Sequence, residues 1–164
     1  MKNVKILFAD DHSIVRNGLR ALFRSTPGFS VVGEAPDGEK AVELASLHTP
    51  DIAILDISMP KLNGIEAMQI IKQQHPGIKI LMLTIHEDEA YVDKIIRAGA
   101  NGYVVKNAEK KDIIAAVKAV VAGQPFFSQG ISKLIVGKFI RRAQRESASP
   151  PVSNDPRAKH ERPV

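Results

Sequence analysis

Chemically reactive side chains follow several short apolar segments of this 164-residue chain. They are, in chain order, Asp10, Asp11, Asp56, Thr84 and Lys106. If the apolar segments are strands of one parallel sheet, their carboxyl ends lie at the edge where such sheets bind ligands. Three carboxylates, a hydroxyl and an ammonium would then meet at that edge.

This combination of groups indicates acyl-phosphate chemistry at one aspartate. Clustered carboxylates repel one another without a cation, and Mg²⁺ prefers oxygen ligands of this kind. With the ion bound, one aspartate can face a phosphoryl group whose charge the metal, the lysine and the hydroxyl neutralise. Each residue alone has an ordinary explanation, such as a helix cap for Asp10, a turn for Asp56 or a solvated charge for Lys106. None of these explanations predicts that four strand ends carry complementary groups.

The elements that must position these residues alternate between strands and helices. Apolar runs predict strands at Val4–Ala9, Phe29–Glu34, Ile52–Leu55, Ile78–Leu83 and Gly102–Val105. Helical spacing predicts helices at Ser13–Ser25, Asp37–Leu47, Asn63–Gln74, Asp88–Ala98 and Glu109–Ala122. This alternation implies βαβ units, and the continuously apolar third and fourth runs imply a sheet covered on both faces. We therefore predict a doubly wound α/β domain with a five-stranded parallel sheet over residues 1–123.

The bulk composition excludes several classes of protein. The chain contains no cysteine, which excludes disulfides, thiolate metal sites and a cysteine nucleophile. No apolar run approaches ~18 residues, and the apolar stretch near the amino terminus is too short for a signal peptide. Hydrophobic residues make up 44% of the chain, enough for a core. We therefore expect a soluble, cytoplasmic protein that does not bind a membrane.

The composition changes after the fifth predicted helix. Residues 126–164 contain eight lysines and arginines but three acidic residues, and so account for the net charge of +5. A loop is predicted at residues 124–130, and an amphipathic helix at Ile131–Arg142, within a linker spanning residues 124–146. Residues 147–164 are rich in serine and proline, and we expect a disordered tail. The basic charge is compatible with binding to nucleic acid or with a solvated linker. The apolar side of the helix is compatible with packing on the domain or with formation of a dimer.

Together these features resemble the receiver domain of response regulators. The resemblance is carried by Asp10, Asp11, Asp56, Thr84 and Lys106, by Leu55–Pro60 followed by Gly64, and by Ala98–Tyr103. It covers residues 4–123 and implies the flavodoxin-like (βα)5 receiver fold. It also implies a two-component signalling protein rather than an enzyme. A sensor histidine kinase would phosphorylate such a protein in a reaction that requires Mg²⁺.

The resemblance assigns roles to the carboxylates of this chain. Asp56 is similar to the phosphoacceptor of the family. Asp10, Asp11 and Asp56, with the backbone carbonyl of Ser58, are similar to its Mg²⁺ ligands. His12, which follows the first two carboxylates, is expected to be a surface residue.

Other residues resemble the switch of the family. Thr84 and Lys106 are similar to the groups that contact the phosphoryl oxygens. Tyr103 is similar to the aromatic residue that turns inward as the threonine shifts. Ser58 and His86 occupy the two positions that tune dephosphorylation in the family.

The carboxyl-terminal part narrows the resemblance to the NarL/LuxR-type branch. Many receivers have a proline after the lysine of the fifth strand, whereas Asn107 and Ala108 follow Lys106 here. Members of this branch carry a helix-turn-helix domain after a linker, and residues 142–164 cannot form one. We therefore expect the chain to belong to a longer protein that contacts DNA only through the missing domain. A homodimer on activation is also expected.

Two alternative functions are disfavoured by particular residues, and a third stays open. A hydrolase of the haloacid dehalogenase type needs a second aspartate two residues after the nucleophile, where this chain has Ser58. A dinucleotide-binding module needs a glycine-rich turn after the first strand, where Asp10 and Asp11 would repel a pyrophosphate. A stand-alone receiver that acts through protein–protein binding stays open, although the basic linker argues against it.

Overall fold

The computed structural model of the chain describes residues 3–85 and 89–148. Its strands are β1 (Val4–Ala9), β2 (Phe29–Ala35), β3 (Ile52–Leu55), β4 (Lys79–Thr84), β5 (Gly102–Val105) and β6 (Phe126–Phe127). Its helices are α1 (Ser13–Arg24), α2 (Gly38–His48), α3 (Gly64–Gln74), α4 (Glu89–Arg97), α5 (Lys110–Val121) and α6 (Gln129–Ala148). The strands pair in parallel in the order β2-β1-β3-β4-β5-β6. The predicted doubly wound α/β fold is confirmed.

Helices cover both faces of the sheet, which explains its continuously apolar strands. Every residue of β3 is buried. On one face α1 and α5 contribute buried side chains such as Phe23 and Val117. On the other face α2, α3 and α4 contribute side chains such as Met68 and Ile95. Because both faces are removed from water, polar side chains of the central strands can emerge only at the strand ends.

A side-chain cap fixes where α3 begins, close to the edge of the sheet. Asn63 accepts a hydrogen bond from the backbone N–H of Glu66 at 2.9 Å, and the Glu66 carboxylate accepts one from the N–H of Asn63 at 3.1 Å. This reciprocal pair is a capping box, which satisfies two backbone donors that the first helical turn leaves unpaired. It therefore fixes the end of the loop that follows β3.

The carboxyl-terminal elements differ from the prediction in two respects. The segment predicted as a loop at residues 124–130 contains β6, so the sheet has six strands rather than five. β6 has only two residues, and it is defined by pairing with Gly102 and Tyr103 rather than by an apolar run of its own. α6 runs from Gln129 to Ala148 and so exceeds the predicted Ile131–Arg142 at both ends; beyond Arg142 the chain continues with good helix formers from Ala143 to Glu146. Residues 149–164, most of the predicted tail, lie outside the described residues.

One side of α6 packs on the domain. Ile131 is fully buried, and Leu134 and Ile135 are half-buried against the apolar cluster that contains it. Phe139 and Ile140 are exposed on the same helix. In the described part of the chain, no helix is long and apolar enough to cross a membrane.

Candidate functional site

The carboxyl ends of the strands bring four of the predicted residues to one edge of the sheet. Asp10 follows β1, Asp56 follows β3, Thr84 ends β4 and Lys106 follows β5. The Nζ atom of Lys106 lies 2.6 Å from Oδ2 of Asp10 and 3.1 Å from Oδ2 of Asp56. Asp10 and Asp56 are only 1% and 3% exposed. Lys106 therefore bridges two carboxylates that are almost entirely removed from water.

Backbone hydrogen bonds continue the parallel ladder to these residues. The N–H of Asp56 donates to the carbonyl of Ala9 at 3.0 Å, and the N–H of Lys106 donates to the carbonyl of Thr84 at 2.8 Å. Such bonds fix the backbone one residue beyond the strand, so the side chains leave the sheet at defined positions. Thr84 itself is completely buried.

The start of α3 lies against the backbone of Asp56. The N–H of Gly64 donates to the carbonyl of Ile57 at 2.8 Å. A Cβ atom on residue 64 would lie 1.9 Å from the carbonyl oxygen of Asp56. Only glycine permits this approach, which explains the glycine that follows the Leu55–Pro60 run.

The surroundings of Asp56 oppose its ionisation. Burial first, and then the charge of Asp10, raise the pKa of Asp56 above its ordinary value; Asp11 adds to this, while Lys106 acts in the opposite direction. Burial lowers the pKa of Lys106, but its hydrogen bonds to Asp10 and Asp56 and their charges outweigh burial, so the pKa is raised. The ammonium is therefore fully charged and does not by itself neutralise the site. A further bound cation would favour the ionised form of Asp56.

An acidic cluster at this edge could hold a metal ion. One candidate ligand atom from each of Asp10, Asp11, His12 and Asp56 lies within 4.8 Å of the others. Three of the four donors are carboxylates, the ligand type that Mg²⁺ prefers. Burial first, and then the charge of Asp10, disfavour the ionised form of Asp56, and a bound cation would offset both effects. The residues present therefore fit the expected Mg²⁺ ion.

The other predicted residues surround this centre or fall outside the described chain. Ser58 is exposed and lines a groove of about 540 Å³ at the mouth of the site, with Asp11, Tyr91 and Lys94 also on its walls. Tyr103 is fully buried within the apolar cluster beneath α4 and α6. His86 lies outside the described residues, so its predicted role stays a prediction.

Two residues at the site were not predicted to act there. The side chain of His12 is 64% exposed, yet its Nδ1 lies 2.9 Å from Oδ1 of Asp10 and 3.1 Å from Oδ1 of Asp11. Arg16 donates from Nη1 to the backbone carbonyl of Asp10 at 2.6 Å. No helical spacing in the sequence predicts the His12 contact, because His12 precedes α1 and has an extended backbone.

Comparisons with known sequences place the chain in a family. Residues 6–118 match the family described as the response regulator receiver domain. The transcriptional regulatory protein DegU of Brevibacillus brevis is 37% identical over 138 residues, covering 84% of this chain and 58% of that protein. The oxygen regulatory protein NreC of Staphylococcus epidermidis is 35% identical over 154 residues, covering 93% of this chain and 70% of that protein. The chain thus covers 58% of the length of the first relative and 70% of the second.

A solved structure is similar to this chain in fold and sequence. A two-component response regulator of the LuxR family from Aurantimonas sp. SI85-9A1 superposes with a TM-score of 0.80 at 37% identity, covering 85% of this chain and 99% of that one. The superposed part of the chain is longer than residues 6–118, the part that matches the receiver family. The structural likeness therefore extends beyond the matched residues. On the sequence match and the shared fold, this chain belongs to the response regulator receiver domain family, in its NarL/LuxR-type branch.

Proposed function

We propose that this chain is a phosphorylation switch of a two-component system, in which Asp56 accepts a phosphoryl group from a sensor histidine kinase. The observation that carries the proposal is the position of Lys106 between the buried carboxylates of Asp10 and Asp56. A charged ammonium at the ligand-binding edge of the sheet is placed to neutralise a phosphoryl group on Asp56. Membership of a family of regulators supports a switch rather than an enzyme that turns over a substrate.

Asp56, Lys106 and Thr84 would have different roles in phosphoryl transfer. A carboxylate oxygen of Asp56 attacks the phosphorus of the donor, the bond to the donor breaks, and an acyl phosphate forms. Lys106 then exchanges part of its contact with Asp56 for a phosphoryl oxygen. The hydroxyl of Thr84 donates to a second phosphoryl oxygen, which draws the carboxyl end of β4 toward Asp56.

Mg²⁺ would be held by Asp10, Asp11, Asp56 and the backbone carbonyl of Ser58. When bound, it neutralises the carboxylates and the phosphoryl oxygens during transfer. The chain positions these ligands in advance, because Asp10 is fixed through Arg16 and the loop after Asp56 is fixed by the cap of α3. Ser58 and His86 would govern the access of water to the acyl phosphate, and thus its lifetime.

The switch would act through Thr84 and Tyr103, which belong to the neighbouring strands β4 and β5. Tyr103 is already buried in this structure, within the cluster that also contains Ile131 of α6. A shift of Thr84 would therefore alter the packing around Tyr103 and, through it, the surface formed by α4 and α6. Two alternative packings of this element would give the two signalling states.

The output would be the regulation of transcription by a DNA-binding domain beyond these residues. The named relatives are a transcriptional regulatory protein and an oxygen regulatory protein, and both are longer than this chain. In this proposal residues 1–123 are the receiver, residues 124–146 connect it to the output, and phosphorylation promotes a homodimer in the cytoplasm. A stand-alone receiver that binds a partner protein is the alternative.

The direct test is the intact mass of the protein after incubation with Mg²⁺ and acetyl phosphate. We expect a gain of one phosphoryl group in the parent, no gain in Asp56→Asn, and no gain in the parent when a chelator is present. Failure to label the parent under conditions that label another receiver would refute the proposed role of Asp56.

A further inference from the structure

The imidazole of His12 lies within the acidic cluster rather than beside it. Its Nδ1 contacts Oδ1 of Asp10 at 2.9 Å and Oδ1 of Asp11 at 3.1 Å. The backbone N–H of His12 also donates to Oδ1 of Asp10 at 2.8 Å, which holds that oxygen on the His12 side. The His12 side chain is 64% exposed, so an ion can reach it from solvent without any movement of the core.

The two oxygens of Asp10 face different partners. Oδ2 contacts Lys106, whereas Oδ1 faces His12. A cation that binds at Oδ1 would therefore meet the imidazole and leave the ammonium with Oδ2. Two ligands on opposite sides of one ion lie about 4.2 Å apart, twice a metal–ligand distance of about 2.1 Å. The four candidate donors lie within 4.8 Å of one another, so small side-chain movements would allow all of them to bind one ion.

We propose that His12 supplies a nitrogen ligand to the ion in this pocket and makes the pocket prefer first-row transition-metal dications, such as Co²⁺, over Mg²⁺. The inference rests on the proposed function, because it uses the carboxylates assigned there to Mg²⁺. Mg²⁺ gains little from a nitrogen donor, since it is a hard ion that prefers oxygen. Imidazole suits transition metals, whose affinity for a mixed nitrogen and oxygen site rises along the series from Mn²⁺ to Cu²⁺. The preference for transition metals over Mg²⁺ would thus be set by His12, which is not one of the proposed Mg²⁺ ligands.

The test compares Co²⁺ and Mg²⁺ affinities by calorimetric titration of the untagged protein. His12→Gln is the informative variant, because its amide can still donate to the two carboxylates but provides no imidazole nitrogen. We expect the ratio of Co²⁺ to Mg²⁺ affinity to fall by about tenfold or more in His12→Gln. His48→Gln removes an imidazole at the end of α2, away from the site, and is expected to keep the parent ratio.

A second readout identifies the ligand itself. Pulsed electron paramagnetic resonance of bound Mn²⁺ detects a directly coordinated nitrogen. We expect a ¹⁴N coupling in the parent and in His48→Gln, and no such coupling in His12→Gln. A parent spectrum without nitrogen coupling, or an unchanged affinity ratio in His12→Gln, would overturn the role of His12.

These outcomes are separate from a failure of the proposed function. If Asp56 is labelled and Mg²⁺ binds, but His12→Gln keeps the parent ratio, only the assignment of His12 is wrong. If neither Mg²⁺ nor Co²⁺ binds the parent, both the metal site and the inference about His12 are wrong.

Discussion

Lys106 lies closer to Asp10 than to Asp56, with Nζ–Oδ2 distances of 2.6 Å and 3.1 Å respectively. In the unphosphorylated protein, Asp10 is therefore its closer partner. Lys106 is also the group at the site that lowers the pKa of Asp56, against the larger effects of burial and of Asp10. A single ammonium thus couples a proposed metal ligand to the proposed phosphoacceptor.

Replacing Lys106 with methionine is expected to slow phosphorylation of Asp56 by about tenfold or more, because a charge that faces the phosphoryl group is lost. The pKa of Asp56 rises further without the ammonium, so the labelling rate should increase with pH over a higher range than in the parent. The measurement is the initial rate of mass gain with acetyl phosphate and Mg²⁺ at a series of pH values. Lys106→Arg retains the charge and is the control. Equal rates and pH profiles for the parent and Lys106→Met would contradict this account.

The raised pKa of Asp56 predicts that its carboxyl group destabilises the fold when it is ionised. Because the folded-state pKa lies above the unfolded value, the stabilising contribution is complete below the unfolded pKa and is lost as pH rises through the folded pKa. Asp56→Asn should therefore melt at a higher temperature than the parent at pH 7, by about 3 °C for a gain of about 1 kcal/mol. The difference should shrink as pH falls toward the unfolded pKa of about 3.9.

The melting temperatures of the parent and Asp56→Asn can also be compared by calorimetry with added Mg²⁺. The ion should raise the melting temperature of the parent more than that of Asp56→Asn, since the variant lacks one of the proposed carboxylate ligands. A variant that melts below the parent at pH 7, with a difference that does not depend on pH, would exclude the cost of ionising Asp56 that burial and the charge of Asp10 impose.

Gly64 is expected to tolerate no side chain, because a Cβ atom there would lie 1.9 Å from the carbonyl oxygen of Asp56. Gly64→Ala should lower the free energy of unfolding by about 1–3 kcal/mol and slow labelling, since α3 or the Asp56 loop must move. Gly77→Ala is the matched control, because a Cβ atom there meets no atom within 4 Å. It should be neutral or stabilising by up to about 1 kcal/mol in denaturant unfolding. Equal effects of the two substitutions would mean that the loop after β3 adapts freely.

The amino-acid pattern predicts the elements and the strand-end residues because both depend on regular geometry. A parallel sheet places every strand's carboxyl end at one edge, so the strand order along the chain is enough to group Asp10, Asp56 and Lys106. The contact of His12 with the carboxylates depends on the direction in which the chain leaves β1, which no periodic pattern contains. β6 was missed for a similar reason, since its two residues become a strand only by pairing with β5.

The attachment of α6 to the receiver is expected to depend on Ile131. This residue is completely buried, whereas Phe139 on the same helix is 72% exposed. Ile131→Ala should lower the free energy of unfolding by about 2–4 kcal/mol, because it leaves a cavity in the cluster that contains Tyr103. Phe139→Ala should change the free energy of unfolding by less than about 0.5 kcal/mol.

Urea unfolding measures both values, and hydrogen exchange over α6 should increase in Ile131→Ala only. If Ile131→Ala were as stable as Phe139→Ala, α6 would not be held on the receiver in solution, and the proposed coupling from Tyr103 to α6 would lose its physical basis.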